Sequence, residues 1–148
     1  MLNYEELLNK LRVILKEKGL KYTKQRELIL ETLFENKNHY TPEDLYILIK
    51  QKHPNLNIGI ATIYRTLSFL EESKIISSIS FGANGKKYEL MLKEHHDHLV
   101  CTECSKIIEF HNETIEKQQE LIAKEFKFKM TSHIMQLVGI CQECQEKQ

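Results

Sequence analysis

The 148-residue chain has no net formal charge, because 21 Lys and Arg residues are balanced by 21 Asp and Glu residues. This length suits one domain or two small ones, with a modest core. No stretch approaches the roughly 18 consecutive apolar residues that a membrane-spanning helix needs, and no apolar run follows a basic start as in a secretion signal. We therefore expect a cytoplasmic protein with no membrane association, whose thiols stay reduced.

Charge is unevenly distributed along the chain. Residues 1–92 carry 14 Lys and Arg against 11 Asp and Glu, whereas residues 93–148 carry 7 against 10. Within residues 10–26 there are seven basic residues and one acid. A basic segment is compatible with nucleic-acid binding, but such segments are more often solvated helix faces. Charge alone therefore leaves DNA binding open.

Four helices are predicted in the first half of the chain. The first spans residues 4–18 and ends at Gly19. The second begins at Thr23, and the third at Thr41, which is followed by proline and two acids as at many helix N-termini. The fourth spans residues 59–73. At helical spacing the side chains expected to be buried are Leu7, Leu8, Leu11, Ile14, Leu15, Ile29, Leu30, Leu33, Phe34, Leu45, Leu48, Ile49, Ile60, Ile63, Leu67 and Leu70.

The opposite side of the fourth helix is suited to contacting a surface. Ala61, Thr62, Arg65 and Ser68 fall on that side, with Tyr64 at its margin. Small residues beside an arginine let a helix approach closely while the guanidinium reaches outward.

A β-hairpin is predicted after the fourth helix. Two short strands at residues 75–81 and 87–92 flank an Asn84-Gly85 turn, next to Lys86 and Lys87. Helices followed by such a hairpin predict a winged helix-turn-helix. Its last helix would enter the DNA major groove, and the two lysines would contact phosphates.

The second half predicts a small α/β domain. Strands are expected at residues 98–101 and 106–110, then a helix at 112–126 and a long alternating strand at 128–140. Its strand edges favour pairing with a second copy. The fold class is therefore α+β. Residues 1–92 form a winged-helix DNA-binding domain, 93–96 a hinge and 97–148 a metal-binding dimerisation domain.

Two Cys-x-x-Cys pairs carry the most specific signal in the chain. Each pair can direct two thiolates at one ion, and two pairs complete a tetrahedral site. We assign Cys101, Cys104, Cys141 and Cys144 to structural Zn²⁺. A redox dithiol or ordinary buried cysteines are the alternatives.

A second metal-binding signal lies just before the first pair, at His95-His96-Asp97-His98. In extended backbone, His96 and His98 point to one face and His95 and Asp97 to the other, so two further sites can form. A metal-dependent hydrolase is an alternative, but the chain has no Gly-rich phosphate loop, nucleophile motif or His-Glu-x-x-His helix. A metal buffer or chaperone would need neither the arginine-bearing helix nor the wing. We therefore expect a non-enzymatic regulator.

Four blocks of the sequence form a distinctive set: GLKYTKQR at residues 19–26, HYTPEDLY at 39–46, GIATIYR at 59–65 and HHDHLVC at 95–101. In this order and spacing they resemble the ferric uptake regulator family. The resemblance implies a homodimeric, metal-dependent bacterial repressor with an N-terminal winged helix and a C-terminal dimerisation domain. It also implies binding to a double-stranded DNA operator, with further assembly of dimers into tetramers left open.

The resemblance also implies which residues form the sites. A regulatory metal would bind His39, Glu89, His96, His98 and Glu109, and an additional metal would bind His95, Asp97, Glu116 and His133. Lys21 would lie near the minor groove, and Tyr64 and Arg65 in the major groove. Peroxide-sensing members have Asp where this chain has Glu109. We therefore expect Fe²⁺ as the regulatory ion in control of iron uptake and homeostasis genes, with Mn²⁺ or Zn²⁺ able to substitute. Peroxide-sensing and zinc-responsive regulation are the alternatives.

Overall fold

A computed structural model describes residues 3–81, 85–91 and 94–148. The chain folds into two compact units, Met1–Lys93 and Glu94–Gln148. Asn84 of the predicted hairpin turn, Leu92 at the end of its second strand and Lys93 of the predicted hinge lie outside the described residues.

The first unit consists of four helices and a hairpin, in the order expected of a winged helix. The helices are α1 (Tyr4–Glu17), α2 (Lys24–Glu35), α3 (Pro42–Lys52) and α4 (Ile60–Glu72). The hairpin pairs β1 (Ile76–Ser80) with β2 (Lys86–Leu90) in antiparallel register. The predicted winged helix is therefore present.

Local sequence signals set the helix boundaries. Thr23 caps α2 through its hydroxyl, which accepts from the backbone N–H of Arg26. At α3, Thr41 Oγ1 accepts from Asp44 N at 3.0 Å, and Asp44 Oδ2 accepts from Thr41 N at 3.0 Å. Gly19, with a φ of +66° that favours glycine, follows α1. The predicted helix starts at Thr23 and Thr41 are confirmed.

The core of the first unit is a single apolar cluster shared by the four helices and the hairpin. Leu11 of α1, Ile29 of α2, Leu45 of α3 and Leu67 of α4 are each 0% exposed. Helical periodicity places Ile60 in this core, but it is 39% exposed, because it is the first residue of α4 and extends past the packed turns. Among the other expected core residues, Ile14, Phe34 and Leu48 are half-buried.

The second unit is a small α/β domain. Its elements are β3 (Asp97–Cys101), β4 (Ile107–Phe110), α5 (Glu113–Glu125), β5 (Gln136–Gly139) and the short α6 (Gln142–Glu146). The sheet order is β4-β3-β5, with β3 antiparallel to β4 and parallel to β5. Strand β3 is therefore the central strand.

The prediction of a long strand at residues 128–140 is wrong, because the observed strand is much shorter. Only Gln136–Gly139 forms a strand, and residues 128–135 have no ladder partner within the described chain. After α5 the chain turns through Lys127 at a φ of 53°, and Phe128 N donates to Ala123 O at 2.7 Å. Alternating apolar residues predict extended backbone, but a strand also needs a neighbour to pair with.

Apolar side chains are unusually exposed in the second unit. Helix α5 has no buried residue. Phe126 is 75% exposed, Phe128 72% and Ile134 93%. Such a surface on a single chain is typical of an interface with another protein. Among the described helices, none combines the length and apolar character needed to cross a bilayer.

Candidate metal centres and nucleic-acid interface

The four cysteines come together at one end of β3. Cys101 is the last residue of β3, whereas Cys141 caps α6 and Cys144 lies within it. The Sγ atoms of Cys104 and Cys141 lie 3.7 Å apart, and all four sulfur atoms lie within 4.8 Å of one another. Zn–S bonds of about 2.3 Å in a tetrahedron place the sulfurs about 3.8 Å apart. The donors and their spacing therefore fit zinc.

The pKa values of the thiols also favour a bound cation at the four cysteines. The backbone N–H groups of Cys104 and Cys141 lower the pKa of the Cys101 thiol to about 6. Contacts with the side chains of Cys141 and Cys104 raise the pKa of Cys144 to about 12. Four adjacent sulfurs cannot all be thiolates without a cation, since like charges repel. A bound Zn²⁺ supplies that charge, so the four-cysteine cluster fits a structural zinc site.

A second cluster of donors lies within the same unit. His133 Nε2 is 3.2 Å from Glu116 Oε1, and His95 Nε2 is 3.5 Å from the same oxygen. Asp97 Oδ1 is 3.4 Å from His95 Nε2 and 3.9 Å from His133 Nε2. The cluster thus presents two imidazole nitrogens and two carboxylates from β3, α5 and the segments before β3 and β5.

The environment of the Asp97 carboxylate indicates whether this cluster suits a cation. The residue is 1% exposed, and neither of its carboxylate oxygens accepts a hydrogen bond from the described residues. A buried carboxylate without hydrogen bonds is costly unless a positive charge is close by. Two neighbouring imidazoles supply that charge only when protonated. A divalent cation held by all four groups satisfies the carboxylate, so the residues fit a metal.

The five residues expected to bind the regulatory metal divide between the units. In the first unit, His39 Nε2 lies 2.8 Å from Glu89 Oε2, and both side chains are less than a tenth exposed. An isolated antiparallel bridge brings these residues together, since Tyr40 N donates to Tyr88 O and Tyr88 N to Tyr40 O. The segment before α3 is thereby fixed to β2.

The second unit contributes the other three residues. His98 lies opposite Glu109 in the β3–β4 ladder. His96 Nε2 is 3.7 Å from Glu109 Oε1, and the His96 and His98 rings are 4.7 Å apart between centroids. His96 Nδ1 is 2.9 Å from the Glu94 carbonyl oxygen. Because a carbonyl only accepts, Nδ1 carries the proton and Nε2 is the nitrogen able to ligate.

The residues expected to contact DNA are mostly exposed. On α4, Ala61, Tyr64 and Arg65 are exposed and Thr62 is half-buried. Lys21 is exposed in the loop between α1 and α2. Lys86 and Lys87 lie at the start of β2; Lys86 Nζ is 3.8 Å from Glu71 Oε2, and Lys87 Nζ lies 5.4 Å from the Phe81 ring centroid.

Two contacts near this surface are not predicted by the sequence patterns. The Tyr64 hydroxyl donates to Glu43 Oε1 at 2.6 Å, which joins α4 to the start of α3. Glu71, at the end of α4, accepts a hydrogen bond from Ser78 of β1 in addition to its contact with Lys86. No local pattern pairs residues 21 positions apart, so only the fold reveals the first contact.

Comparison with known proteins identifies the family. The model of the ferric uptake regulator family matches residues 17–138. The ferric uptake regulation protein of Campylobacter jejuni is 60% identical over 141 residues, covering 95% of this chain and 90% of that protein. The Helicobacter pylori protein is 40% identical, with coverage of 97% and 95%. The chain belongs to the ferric uptake regulator family.

Solved structures of ferric uptake regulators share the fold. The Helicobacter pylori regulator, described as having three functional metal-binding sites, has a TM-score of 0.88 at 40% identity, over 97% of this chain and 95% of that one. The Francisella tularensis regulator with iron has a TM-score of 0.76 at 34% identity, over 86% and 96%. The α+β fold predicted from the sequence is confirmed.

Family membership establishes the general activity. Ferric uptake regulators are metal-responsive transcription repressors of iron uptake that bind DNA as dimers, and the family is not one of enzymes. The four-cysteine cluster and the His and Glu groups of this chain fit a structural zinc and a regulatory metal. Cys141 and Cys144 lie beyond the segment matched by the family model, so the second half of the zinc site rests on the structure.

Proposed function

We propose that the protein is an Fe²⁺-responsive repressor that binds operator DNA when one ion is held by His39, Glu89, His96, His98 and Glu109. These ligands come from both units, so a bound ion couples the DNA-binding unit to the dimerisation unit. Four further expectations belong to the proposal. Residues 93–96 act as the hinge between domains at 1–92 and 97–148, the protein works in the cytoplasm, it is not an enzyme, and dimers can assemble into tetramers.

The contact between His39 and Glu89 carries this proposal. An imidazole nitrogen 2.8 Å from a buried carboxylate is an incomplete ligand set, because two donors do not satisfy a first-row ion. Glu89 precedes His96 by only seven residues, and His96, His98 and Glu109 form a matching group of nitrogen and oxygen donors. Two imidazole–carboxylate groups separated by a short connector are what a bridging site requires.

The donor types favour iron or manganese. Three imidazoles and two carboxylates form a borderline-to-hard set that suits Fe²⁺ and Mn²⁺, whereas thiolates would favour zinc. All four thiols of the chain belong to the four-cysteine cluster. Zinc is therefore assigned to the cysteines, and iron to the mixed nitrogen and oxygen ligands. The related Francisella tularensis structure with iron supports this assignment.

The residues act by differential binding. A bound ion would offset the negative charge of Glu89 and Glu109. Without it, the two carboxylates oppose approach of the groups that carry them. An ion ligated by both units favours one arrangement of the domains. It does so only to the extent that this arrangement binds the ion more tightly than the other arrangements do. In a two-fold symmetric dimer, that arrangement presents two α4 helices to an operator at a fixed spacing.

The metal dependence of DNA binding tests the proposal. A duplex enriched from a random-sequence pool by the zinc-loaded protein with Mn²⁺ serves as the probe. We expect affinity for this duplex to rise with added Fe²⁺ or Mn²⁺ under anaerobic conditions, and the zinc content to stay constant. Retention of the duplex without any added metal, at unchanged affinity, would refute the metal-dependent switch.

A further inference from the structure

The contact between Tyr64 and Glu43 connects the DNA-facing helix to its neighbour. Tyr64 lies on the outer side of α4 next to Arg65 and is 46% exposed. Its hydroxyl donates to Glu43 Oε1 at 2.6 Å, a short contact typical of a hydrogen bond to an ionised carboxylate. The same hydrogen bond raises the pKa of the Tyr64 phenol.

The backbone of Glu43 is fixed at the start of α3. It follows Pro42 at the first position of the helix, and the reciprocal hydrogen bonds of Thr41 and Asp44 fix that first turn. A carboxylate in the first turn also interacts favourably with the helix dipole. The helix α3 thus fixes the backbone from which the exposed Glu43 side chain reaches Tyr64.

The hydrogen bond determines what Tyr64 can offer to DNA. A phenol has one proton, and in this structure Glu43 accepts it. The oxygen can still accept a hydrogen bond, and the ring can still make apolar contacts. Phosphate oxygens only accept, so they cannot bond to a hydroxyl whose proton is committed, and the nearby carboxylate repels them. Adenine and cytosine amino groups donate in the major groove, and thymine presents a methyl group.

We propose that Glu43 is a specificity-determining residue of the DNA-binding surface. It holds the Tyr64 proton, prevents Tyr64 from donating to phosphate, and restricts it to base amino and methyl groups. The charge of Glu43 also weakens binding to the selected and scrambled duplexes alike, since it lies beside a surface that meets phosphates, and this effect leaves the ratio of the two affinities unchanged. This inference rests on the proposed function, because it takes α4 as the helix that enters the groove.

Discrimination between two duplexes tests the inference. The affinity of the zinc-loaded protein with Mn²⁺ is measured for the duplex selected from the random pool and for a scrambled duplex of equal composition. We expect Glu43→Ala to lower the ratio of the two affinities about 3- to 10-fold, the effect of about one hydrogen bond, chiefly through tighter binding of the scrambled duplex. Glu43→Gln keeps an acceptor for the hydroxyl and should retain most of the ratio.

A double-mutant cycle separates the hydrogen bond from the charge. In a Tyr64→Phe background there is no hydroxyl, so adding Glu43→Ala should leave the ratio unchanged. Glu35→Ala is the matched control, since it removes an exposed carboxylate of the same unit that contacts Lys52 at 2.9 Å. We expect it to keep the wild-type ratio.

The experiment distinguishes failure of this inference from failure of the proposed function. An unchanged ratio in Glu43→Ala, or an equal drop with and without the Tyr64 hydroxyl, overturns the inference while the metal-dependent binding of the wild-type protein stands. If the wild-type protein fails to prefer any selected duplex in the presence of metal, the proposed function fails and the inference falls with it. The melting temperature of each variant is measured as well. If the contact only stabilises the fold, Glu43→Ala changes the melting temperature but not the ratio of the two affinities.

Discussion

His39 Nε2 lies 2.8 Å from Glu89 Oε2, although the two residues are distant in the chain. The neighbouring backbone bridge between Tyr40 and Tyr88, with N···O distances of 2.9 and 2.7 Å, creates this proximity. The pair is therefore positioned by the folding of the winged helix itself. His39 and Glu89 are two of the five ligands proposed above for the regulatory metal.

Replacing His96 tests the bridging role proposed for the regulatory ligands. We expect His96→Ala to lose at least about 10-fold in Mn²⁺-stimulated affinity for the selected duplex, because the loss of one ligand weakens a metal site by at least as much as the loss of a supporting group. The zinc content and the dimer should be unaffected, since His96 belongs to a different donor group from the four cysteines among the described residues. Anisotropy titrations and native mass measurement provide the readouts.

The matched control for this variant is His111→Ala. His111 is exposed and belongs to none of the donor clusters formed by the described residues. Its replacement should leave metal-stimulated binding at the wild-type level. Equal stimulation of the wild-type and His96→Ala proteins by Mn²⁺ would contradict the proposed ligand set.

Cys104→Ser tests the structural zinc site. A serine hydroxyl does not replace a zinc-bound thiolate, and structural zinc sites contribute about 10–16 kcal/mol of binding free energy in small peptides. We expect the variant to lose its zinc and the second unit to melt at a lower temperature, while the helices of the first unit persist because they have an apolar core of their own. Zinc analysis and amide hydrogen exchange measure the two effects.

Thr102→Ser is the appropriate control for the zinc variant. The change keeps a hydroxyl able to donate to Gly139 O, the acceptor of Thr102 Oγ1 at 3.3 Å. It should keep one zinc per chain. A Cys104→Ser protein with full zinc and unchanged melting would rule out the four-cysteine assignment.

Asp97→Asn tests the second donor cluster. The change removes the negative charge of a buried carboxylate whose oxygens accept no hydrogen bond from the described residues. Because this carboxylate is one of the four donors of the cluster, the variant should bind one Mn²⁺ ion fewer per chain. In the zinc-loaded protein without added Mn²⁺, the variant should be as stable as wild type or more so, because the cost of burying an unsatisfied carboxylate disappears. Equilibrium dialysis and urea unfolding provide the measurements.

Glu125→Gln serves as the comparison for Asp97→Asn, since it neutralises an exposed carboxylate at the end of α5. Both the metal stoichiometry and the stability of this control should match wild type. If Asp97→Asn binds as many Mn²⁺ ions as wild type, the cluster around Asp97 holds no metal.

Arg65→Ala tests how α4 reads DNA. If Arg65 contacts a base edge, the variant should lose about 1–3 kcal/mol of affinity for the selected duplex and much less for the scrambled one. A phosphate contact predicts the same loss on both duplexes instead. Lys37→Ala, which removes an exposed positive charge between α2 and α3, is the control and should change neither affinity.

The fold of the first unit is largely predictable from the sequence because its signals are local. A capping residue such as Thr41, followed by proline and acids, specifies a helix start within a few positions. The periodic leucines of α1 indicate which face is buried. Ile60 departs from its pattern because helical periodicity does not show where the packed turns of a helix begin.

The second unit is less predictable because its signals depend on distant partners. The alternating residues after Phe128 indicate a long strand, but pairing with β3 starts only where His98 N meets Met135 O. The ligand sets follow from resemblance, since spacing alone does not assign Glu116 or His133 to Asp97. The contact between Tyr64 and Glu43 lies beyond any local rule for the same reason.

Strand β3 supplies a donor to each of the three clusters within five residues: Asp97, His98 and Cys101. Because successive side chains of a strand alternate, sliding β3 by one position against β4 and β5 would turn every one of these donors to the wrong side. A zinc ion held by the four cysteines at its far end would therefore anchor the alignment of the whole strand. With the ligand set proposed above, a chain deprived of zinc at synthesis would lose its response to the regulatory metal as well, because misalignment of β3 would displace His98 without any change to that residue.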